Sequence, residues 1–189
     1  MKYIVLGLGT FGSVLATELS ALGHEVIGAD FDEGRVEHIK EKIATAYRID
    51  ATDSLSLASL PLQTVDVVIV AVGEDFGASI KMVALLKQIG VKKIYARAID
   101  NVHKTILEAF KIDRILTPES DSAHILAQSM DLGVNVEAFQ IDDQYYVLKF
   151  KTPKNLIGLN ANTLPLESEF NIKVIGVKHP KVTTNFLGI

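Results

Sequence analysis

The residues best placed to bind a ligand form a glycine-rich turn near the amino terminus. Gly7, Gly9 and Gly12 follow a short apolar run and precede a helical pattern, in the spacing GxGxxG. In that context the first glycine permits a tight turn, the second lets the backbone approach a diphosphate, and the third allows close packing of helix on strand. Thr10 and Phe11 lie at the start of the helix, where free N–H groups attract anions. The spacing predicts a phosphate site.

A carboxylate follows this turn at the distance expected for a ribose ligand. Asp30 ends the second apolar run, 18 residues after Gly12, and could accept hydrogen bonds from the hydroxyls of an adenosine. Phe31 belongs to the same candidate site and occupies the position where an arginine could hold a 2′-phosphate, so NADP is disfavoured. Asp32 is predicted to cap the next helix. The alternative is that the glycines serve only packing and that Asp30 is a helix cap.

Alternating apolar runs and helical patterns place the glycine turn and the acid on a parallel sheet. Runs rich in valine and isoleucine predict six strands, at Lys2–Leu6, Glu25–Ala29, Ala46–Ile49, Asp66–Val72, Lys93–Ala96 and Arg114–Leu116. Helical patterns cover about 11–22, 32–43, 54–60, 75–89, 100–110 and 120–132. Because each parallel connection needs a crossover helix, the alternation predicts an α/β fold with a doubly wound, Rossmann-like six-stranded sheet.

The pattern changes after residue 133. Residues 135–142 and 144–151 alternate as two strands around Asp142-Asp143, and Ile172–Lys178 is predicted as another strand. We therefore expect a nucleotide-binding domain over residues 1–133 and a small α+β lobe over residues 134–189. The lobe ends without an obvious closing element, which suggests a truncated chain.

Composition excludes several classes of function. The chain carries 19 Lys and Arg against 23 Asp and Glu, a net charge of -4, so no nucleic-acid partner is expected. With no cysteine, disulfides, iron–sulfur clusters and thiolate zinc sites are ruled out. The longest apolar run, Val67 to Val72, is far shorter than the roughly 20 residues of a membrane-spanning helix. We expect a cytoplasmic protein.

Five short sequence motifs together are more specific than the glycine turn alone: GLGTFG, GHEVIGAD, DATD, GEDFGAS and ILTPES. They resemble the RCK or KTN domain family, of the TrkA-N type. That family comprises cytoplasmic nucleotide-binding regulators of potassium channels and of Trk- and Ktr-type potassium uptake systems. The resemblance covers residues 1–133 well, and the tail is similar to an incomplete version of the family's C-terminal lobe.

The resemblance implies further site residues. Those matching Asp50, Ala51, Thr52 and Asp53 line the adenine side of the family's site. The alternative is a turn that caps the helix beginning near Ser54.

Four other positions are candidates for binding residues. Val72 and Gly73 should form the floor beneath the phosphates, and Arg97 matches a position, usually Lys, that can reach phosphate oxygens. A surface ion pair is the alternative for Arg97. Glu119 matches a carboxylate that binds a divalent cation between protomers in some relatives, and helix capping is its alternative.

The resemblance also implies ligands and partners. It indicates an adenine nucleotide, either NAD(H), ATP or ADP, and a homodimer or larger ring on a membrane potassium channel or transporter subunit, at the inner face of the membrane. Many members that sense ATP carry Arg where this chain has Thr10. Without that cation the charge of a terminal phosphate is less well compensated, so discrimination of ATP from ADP is in doubt, and NAD(H), ADP or AMP becomes more plausible.

An enzyme is the main rival interpretation, because dehydrogenases share the glycine turn. An NAD-dependent oxidoreductase or redox-sensing Rossmann protein would need proton-transfer groups beside the nicotinamide. Tyr145 and Lys149 have the spacing of a short-chain dehydrogenase pair, but in a strand they would stand about 13 Å apart. We therefore expect a regulator without catalytic residues.

Overall fold

The computed structural model describes residues 1–131, 136–141, 145–160, 163–164 and 166–177. The chain divides into two compact units, Met1–His124 and Ile125–Ile189. This division falls after residue 124, whereas the sequence-based domain boundary falls after residue 133, and that boundary stays a prediction.

The first unit is built on a sheet of six parallel strands in the order β3-β2-β1-β4-β5-β6. Its doubly wound topology confirms the predicted fold class. The elements are β1 (Lys2–Leu6), α1 (Thr10–Ala21), β2 (Glu25–Asp30), α2 (Glu33–Ile39), β3 (Thr45–Arg48), α3 (Ser54–Ala58), β4 (Val67–Val70), α4 (Phe76–Ile89), β5 (Ile94–Arg97), α5 (Asn101–Ala109) and β6 (Arg114–Leu116). Helix α6 (Pro118–Asp131) follows and includes the division after residue 124.

The central strands are apolar on both faces because helices cover both faces. All four residues of β4 are buried, and successive side chains of a strand point to opposite sides. Val68 and Val70 accordingly pack into one apolar layer, and Val67 and Ile69 pack into the other. These two layers hold the sheet rigid, so the loops at its carboxyl edge have fixed starting points.

Side chains cap the beginnings of four helices. Asp32, Asp53, Asp75 and Asp100 each accept a hydrogen bond from a backbone N–H in the first turn of α2, α3, α4 and α5. Such caps satisfy backbone donors that the helix itself leaves unpaired. The cap at Asp32 confirms the sequence prediction. Helix α1 differs because its N-cap residue is Gly9, which has no side chain.

The second unit contains an antiparallel pair, β7 (Val136–Gln140) and β8 (Tyr146–Phe150), which confirms two predicted strands. The intervening Asp142-Asp143 turn lies outside the described residues. A 3-10 turn at Lys154–Leu156 and α7 (Leu166–Phe170) follow. The predicted strand at Ile172–Lys178 is wrong over residues 172–177, which form no strand. A strand needs a hydrogen-bonded neighbour, and these residues are mostly exposed, Ile175 by 83%.

Across the described parts of the chain, no helix combines the length and the apolar character that crossing a bilayer would require.

His103 is the largest polar side chain in the core of the first unit. Its Nδ1 accepts a hydrogen bond from the N–H of Ile99 at 3.4 Å, so the ring proton belongs on Nε2. That Nε2 has no hydrogen-bond partner among the described residues, and the ring of Phe76 meets the imidazole edge-on at a centroid distance of 4.9 Å. Burial lowers the pKa of His103, and the charge of Asp100 opposes this shift.

We expect the stability of the fold to fall on acidification because of His103. A histidine with a lowered pKa in the folded state is protonated first in the unfolded chain, so stability is lost as the pH falls below about 6.5, by up to about 1.4 kcal/mol per pH unit. The variant His103→Asn keeps an acceptor but cannot titrate, and it should abolish this slope. Urea unfolding at pH 7.5, 6.5 and 5.5 measures it, with exposed His38→Gln as the control. An unchanged slope in His103→Asn would contradict the prediction.

Candidate functional site

The glycine turn between β1 and α1 is shaped by close backbone contacts. Gly7 has a φ of +92°, and a Cβ at this residue would lie 2.7 Å from Cγ2 of Val72. A Cβ on Gly12 would lie 1.9 Å from the carbonyl oxygen of Gly7. Both positions therefore require glycine, and together they hold the first turn of α1 against the end of β1.

The first turn of α1 is a suitable place for an anion. No side chain caps it at Gly9, and it contains no acidic residue. The helix is 12 residues long, so its N-terminus carries the partial positive charge of a complete helix dipole. Thr10 and Phe11 occupy this first turn, as the sequence predicts. The arrangement offers backbone donors to a phosphate, which is the chemistry expected of the motif.

Asp30 lies beside the glycine turn and holds it in place. The residue is only 5% exposed. Its Oδ2 accepts a hydrogen bond from the N–H of Leu8 at 2.7 Å, and its Oδ1 accepts one from the N–H of Asp32 at 2.9 Å. The neighbouring Phe31 is 68% exposed. Asp30 thus has a structural role that the sequence does not reveal, in addition to any contact with a ribose.

Arg35 is the main site residue that the sequence reading missed. Its Nη1 lies 3.6 Å from Oδ2 of Asp30, and its Nη2 lies 3.2 Å from Oε2 of Glu74. A Cβ on Gly9 would lie 3.8 Å from the same Nη1. The sequence did contain an indication of this contact. With Asp32 as N-cap, Arg35 is the third residue of α2, and because helical side chains lean toward the N-terminus, its side chain is directed toward Asp30. At the sequence level, an arginine beside Asp30 is considered only at position 31, where this chain has phenylalanine.

The loop after β3 satisfies its own polar groups. Oδ1 of Asp50 accepts from the N–H and the hydroxyl of Thr52 at 2.8 and 2.7 Å. Oδ2 of Asp53 accepts from the N–H and the hydroxyl of Ser56, both at 2.8 Å, and these hydrogen bonds lower the pKa of Asp53. Ala51 is buried. The structure thus has the turn and helix cap of the alternative reading, and the adenine role of these residues stays a prediction.

Arg97 lies at the end of β5, against the glycine turn. Its Cζ is 5.6 Å from the ring centroid of Phe11, and its guanidinium forms an ion pair with Glu119 in the first turn of α6. A Cβ on Gly73 would lie 2.5 Å from Nη1 of Arg97. Gly73 therefore makes room for this arginine, whereas the sequence suggests only room for a phosphate.

Sheet order explains why residues so distant in sequence meet. In parallel sheets of this kind, ligands bind beyond the carboxyl ends of the strands where the strand order reverses. Here that point lies between β1 and β4. Gly7 follows β1, Asp30 ends β2, and Gly73 follows β4, so the switch point collects them at one edge.

Residues 3–118 match the family model of the TrkA-N domain. The chain belongs to the TrkA-N family. Among curated relatives of this TrkA-N chain, the Ktr system potassium uptake protein A of Bacillus subtilis is 29% identical over 178 residues, which are 94% of this chain and 80% of that protein. The match confirms the resemblance seen in the sequence.

Solved structures share the fold of this TrkA-N domain. The NAD(P)-binding domain of an exopolyphosphatase-related protein from Archaeoglobus fulgidus superimposes with a TM-score of 0.61 at 22% identity, covering 69% of this chain and 97% of that one. The Kef C-terminal domain of Shewanella denitrificans, in an AMP-bound form, gives a TM-score of 0.58 at 23% identity, covering 70% and 82%.

In this chain, Glu119 forms an ion pair with Arg97. Within the residues that the structure describes, no three His, Asp or Glu side chains converge in a way that could hold a metal ion. A role for Glu119 in binding a cation between protomers therefore stays a prediction, and such a cation would compete with Arg97 for the carboxylate.

Proposed function

We propose that this TrkA-N protein is a regulatory subunit of a potassium transport system and that it binds an adenine nucleotide at the carboxyl edge of its sheet. One observation carries the proposal: the uncapped glycine turn and the buried Asp30 meet at the switch point of the sheet. Family membership and the Ktr relative, which this chain matches over 94% of its length, connect that site to potassium uptake.

Different site residues would contact different parts of the nucleotide. The N–H groups of residues 9–12 bind the phosphates, with Val72 and Gly73 beneath them and Arg97 at the side. Asp30 accepts from the ribose, because its two oxygens keep lone pairs beyond the bonds from Leu8 and Asp32. Residues 50–53 border the adenine. NAD(H), ATP and ADP all contain phosphates, a ribose and an adenine. Structures of the same fold, one an NAD(P)-binding domain and one in an AMP-bound form, support an adenine nucleotide as the ligand.

Regulation would follow if the nucleotide binds two arrangements of the paired protomers with unequal affinity. A nucleotide that binds one arrangement of paired protomers more tightly stabilises that arrangement by the difference in binding energy. A membrane potassium channel or transporter subunit, in contact with a homodimer or ring at the inner face of the membrane, can use this difference to open or close. This role needs no catalytic residue, and we assign none.

Thermal unfolding with a panel of ligands tests the proposal. Ligand at 100 times its dissociation constant adds about 2.7 kcal/mol, which in a chain of this length raises Tm by about 5 to 11 °C. We expect ATP, ADP, AMP, NAD+ or NADH to produce such a shift, and guanine nucleotides to produce less. Absence of any shift at millimolar concentration would refute nucleotide binding. A shift by NAD(H) alone, followed by measurable hydride transfer, would favour an oxidoreductase.

A further inference from the structure

An ion pair crosses the glycine turn. Arg35 stands on α2, which follows β2, and Glu74 stands in the loop between β4 and α4. β1 lies between β2 and β4 in the sheet, so the two outer strands are about 10 Å apart. A side-chain contact between Arg35 and Glu74 must therefore pass over the carboxyl end of β1, where the glycine turn begins. The short distance from Arg35 to the Cβ position of Gly9, 3.8 Å, agrees with this path.

We propose that Arg35 is a phosphate ligand of the nucleotide site and that Glu74 is an internal anion that competes with the nucleotide for it. This inference rests on the proposed function, since it concerns the same site. The carboxylate of Glu74 occupies the position on the guanidinium that a phosphate oxygen takes when the nucleotide binds. When the nucleotide binds, Arg35 exchanges the carboxylate of Glu74 for a phosphate group.

The surroundings of the guanidinium indicate which partner is exchanged. Asp30 is buried and already accepts from the N–H of Leu8, so it remains in place. The side chain of Glu74 is 86% exposed, and an exposed ion pair of this kind contributes little to stability. A phosphate accepts two parallel hydrogen bonds from arginine and carries more charge than a carboxylate, so it is the stronger partner. A guanidinium is charged at every physiological pH, and the hydrogen bond to Glu74 raises the pKa of Arg35 further.

Arg35 also supplies a charge that the glycine turn lacks. The turn has Thr10 and no cation of its own. The guanidinium of Arg97 forms an ion pair with Glu119 and lies over the ring of Phe11. Apart from Gly9 and its two chain neighbours, Nη1 of Arg35 is the one atom among the residues described that lies within 4 Å of the Cβ position of Gly9. This cation reaches the backbone to which a diphosphate would bind.

Titration calorimetry of the full chain with ADP, and NMR titration with adenosine, test the inference. The variant Arg35→Gln should weaken ADP binding about tenfold or more and change adenosine binding less than twofold, because adenosine has no phosphate. Glu74→Gln should tighten ADP binding about two- to fivefold and have no effect in an Arg35→Gln background. Arg114→Gln, at the amino end of β6 and the opposite edge of the sheet, is the charge-matched control.

The results separate this inference from the proposed function. If the unaltered chain binds neither ADP nor adenosine, nucleotide binding itself is refuted. If ADP binds but Arg35→Gln leaves its affinity unchanged, or weakens adenosine equally, the phosphate role of Arg35 is overturned. If Glu74→Gln weakens ADP or has no effect, the competing role of Glu74 is overturned.

Discussion

Replacement of Gly12 by alanine should abolish nucleotide binding and destabilise the fold by about 3 kcal/mol, the upper end of overpacking effects in a close-packed site. The new Cβ would stand 1.9 Å from the carbonyl oxygen of Gly7 and 3.1 Å from Cβ of Ala71. Neither obstacle is a flexible side-chain end, so α1 itself must move away from the sheet. That movement displaces the first-turn N–H groups from the phosphate site.

Thermal unfolding and ADP calorimetry measure both effects together. For a chain of this length, about 3 kcal/mol lowers Tm by about 6 to 12 °C. Gly77→Ala is the matched control, because its Cβ would meet nothing closer than 3.4 Å and alanine favours the helical conformation of α4. We expect that control to be neutral or stabilising. A Gly12→Ala chain with unchanged Tm and unchanged affinity would show that α1 is not held against the glycine turn.

Local sequence patterns were sufficient for the fold and for the position of the glycine turn. The ends of β1 and β6 agree with the prediction, because each is a short apolar run that begins at a basic residue and is followed by a glycine or a threonine. The same reasoning failed at residues 172–177, where an apolar run pairs with no strand in the described part of the chain. Periodicity reports which face of a segment is apolar, but it cannot report whether a partner strand is present.

The contacts that define the candidate site depend on strand order, which no local pattern encodes. The pairing of Arg35 with Glu74 joins residues 39 positions apart and requires β4 to lie beside β1. Likewise, Gly73 accommodates Arg97 only because β5 lies beside β4. Sequence alone supplied the residue types at the carboxyl edge. Topology decided which of them meet, and it gave Asp30 a structural role that the motif does not imply.

The double role of Asp30 leads to the second large effect. Replacement of Asp30 by asparagine should destabilise the fold by about 1 to 3 kcal/mol. Asp30 accepts hydrogen bonds from the buried N–H of Leu8 and the part-buried N–H of Asp32, and one of these donors would lose its partner. Asparagine offers one acceptor oxygen, and its amide group would face the other N–H donor. The glycine turn would then loosen, and every phosphate-bearing ligand would bind less tightly, whether or not Asp30 contacts the ribose.

A ligand series on the unaltered chain isolates the ribose contact. If Asp30 accepts from the ribose, 2′-deoxy-ADP or 3′-deoxy-ADP should bind about 10- to 100-fold more weakly than ADP, the range for losing a hydrogen bond to a charged group. Asp66→Ala is the control for the structural part: Asp66 accepts from the N–H of Lys2 at 2.7 Å, at the amino end of the sheet, and alanine removes that acceptor. It should lower stability without changing affinity. Equal binding of ADP and both deoxy analogues would leave Asp30 as a support of the glycine turn alone.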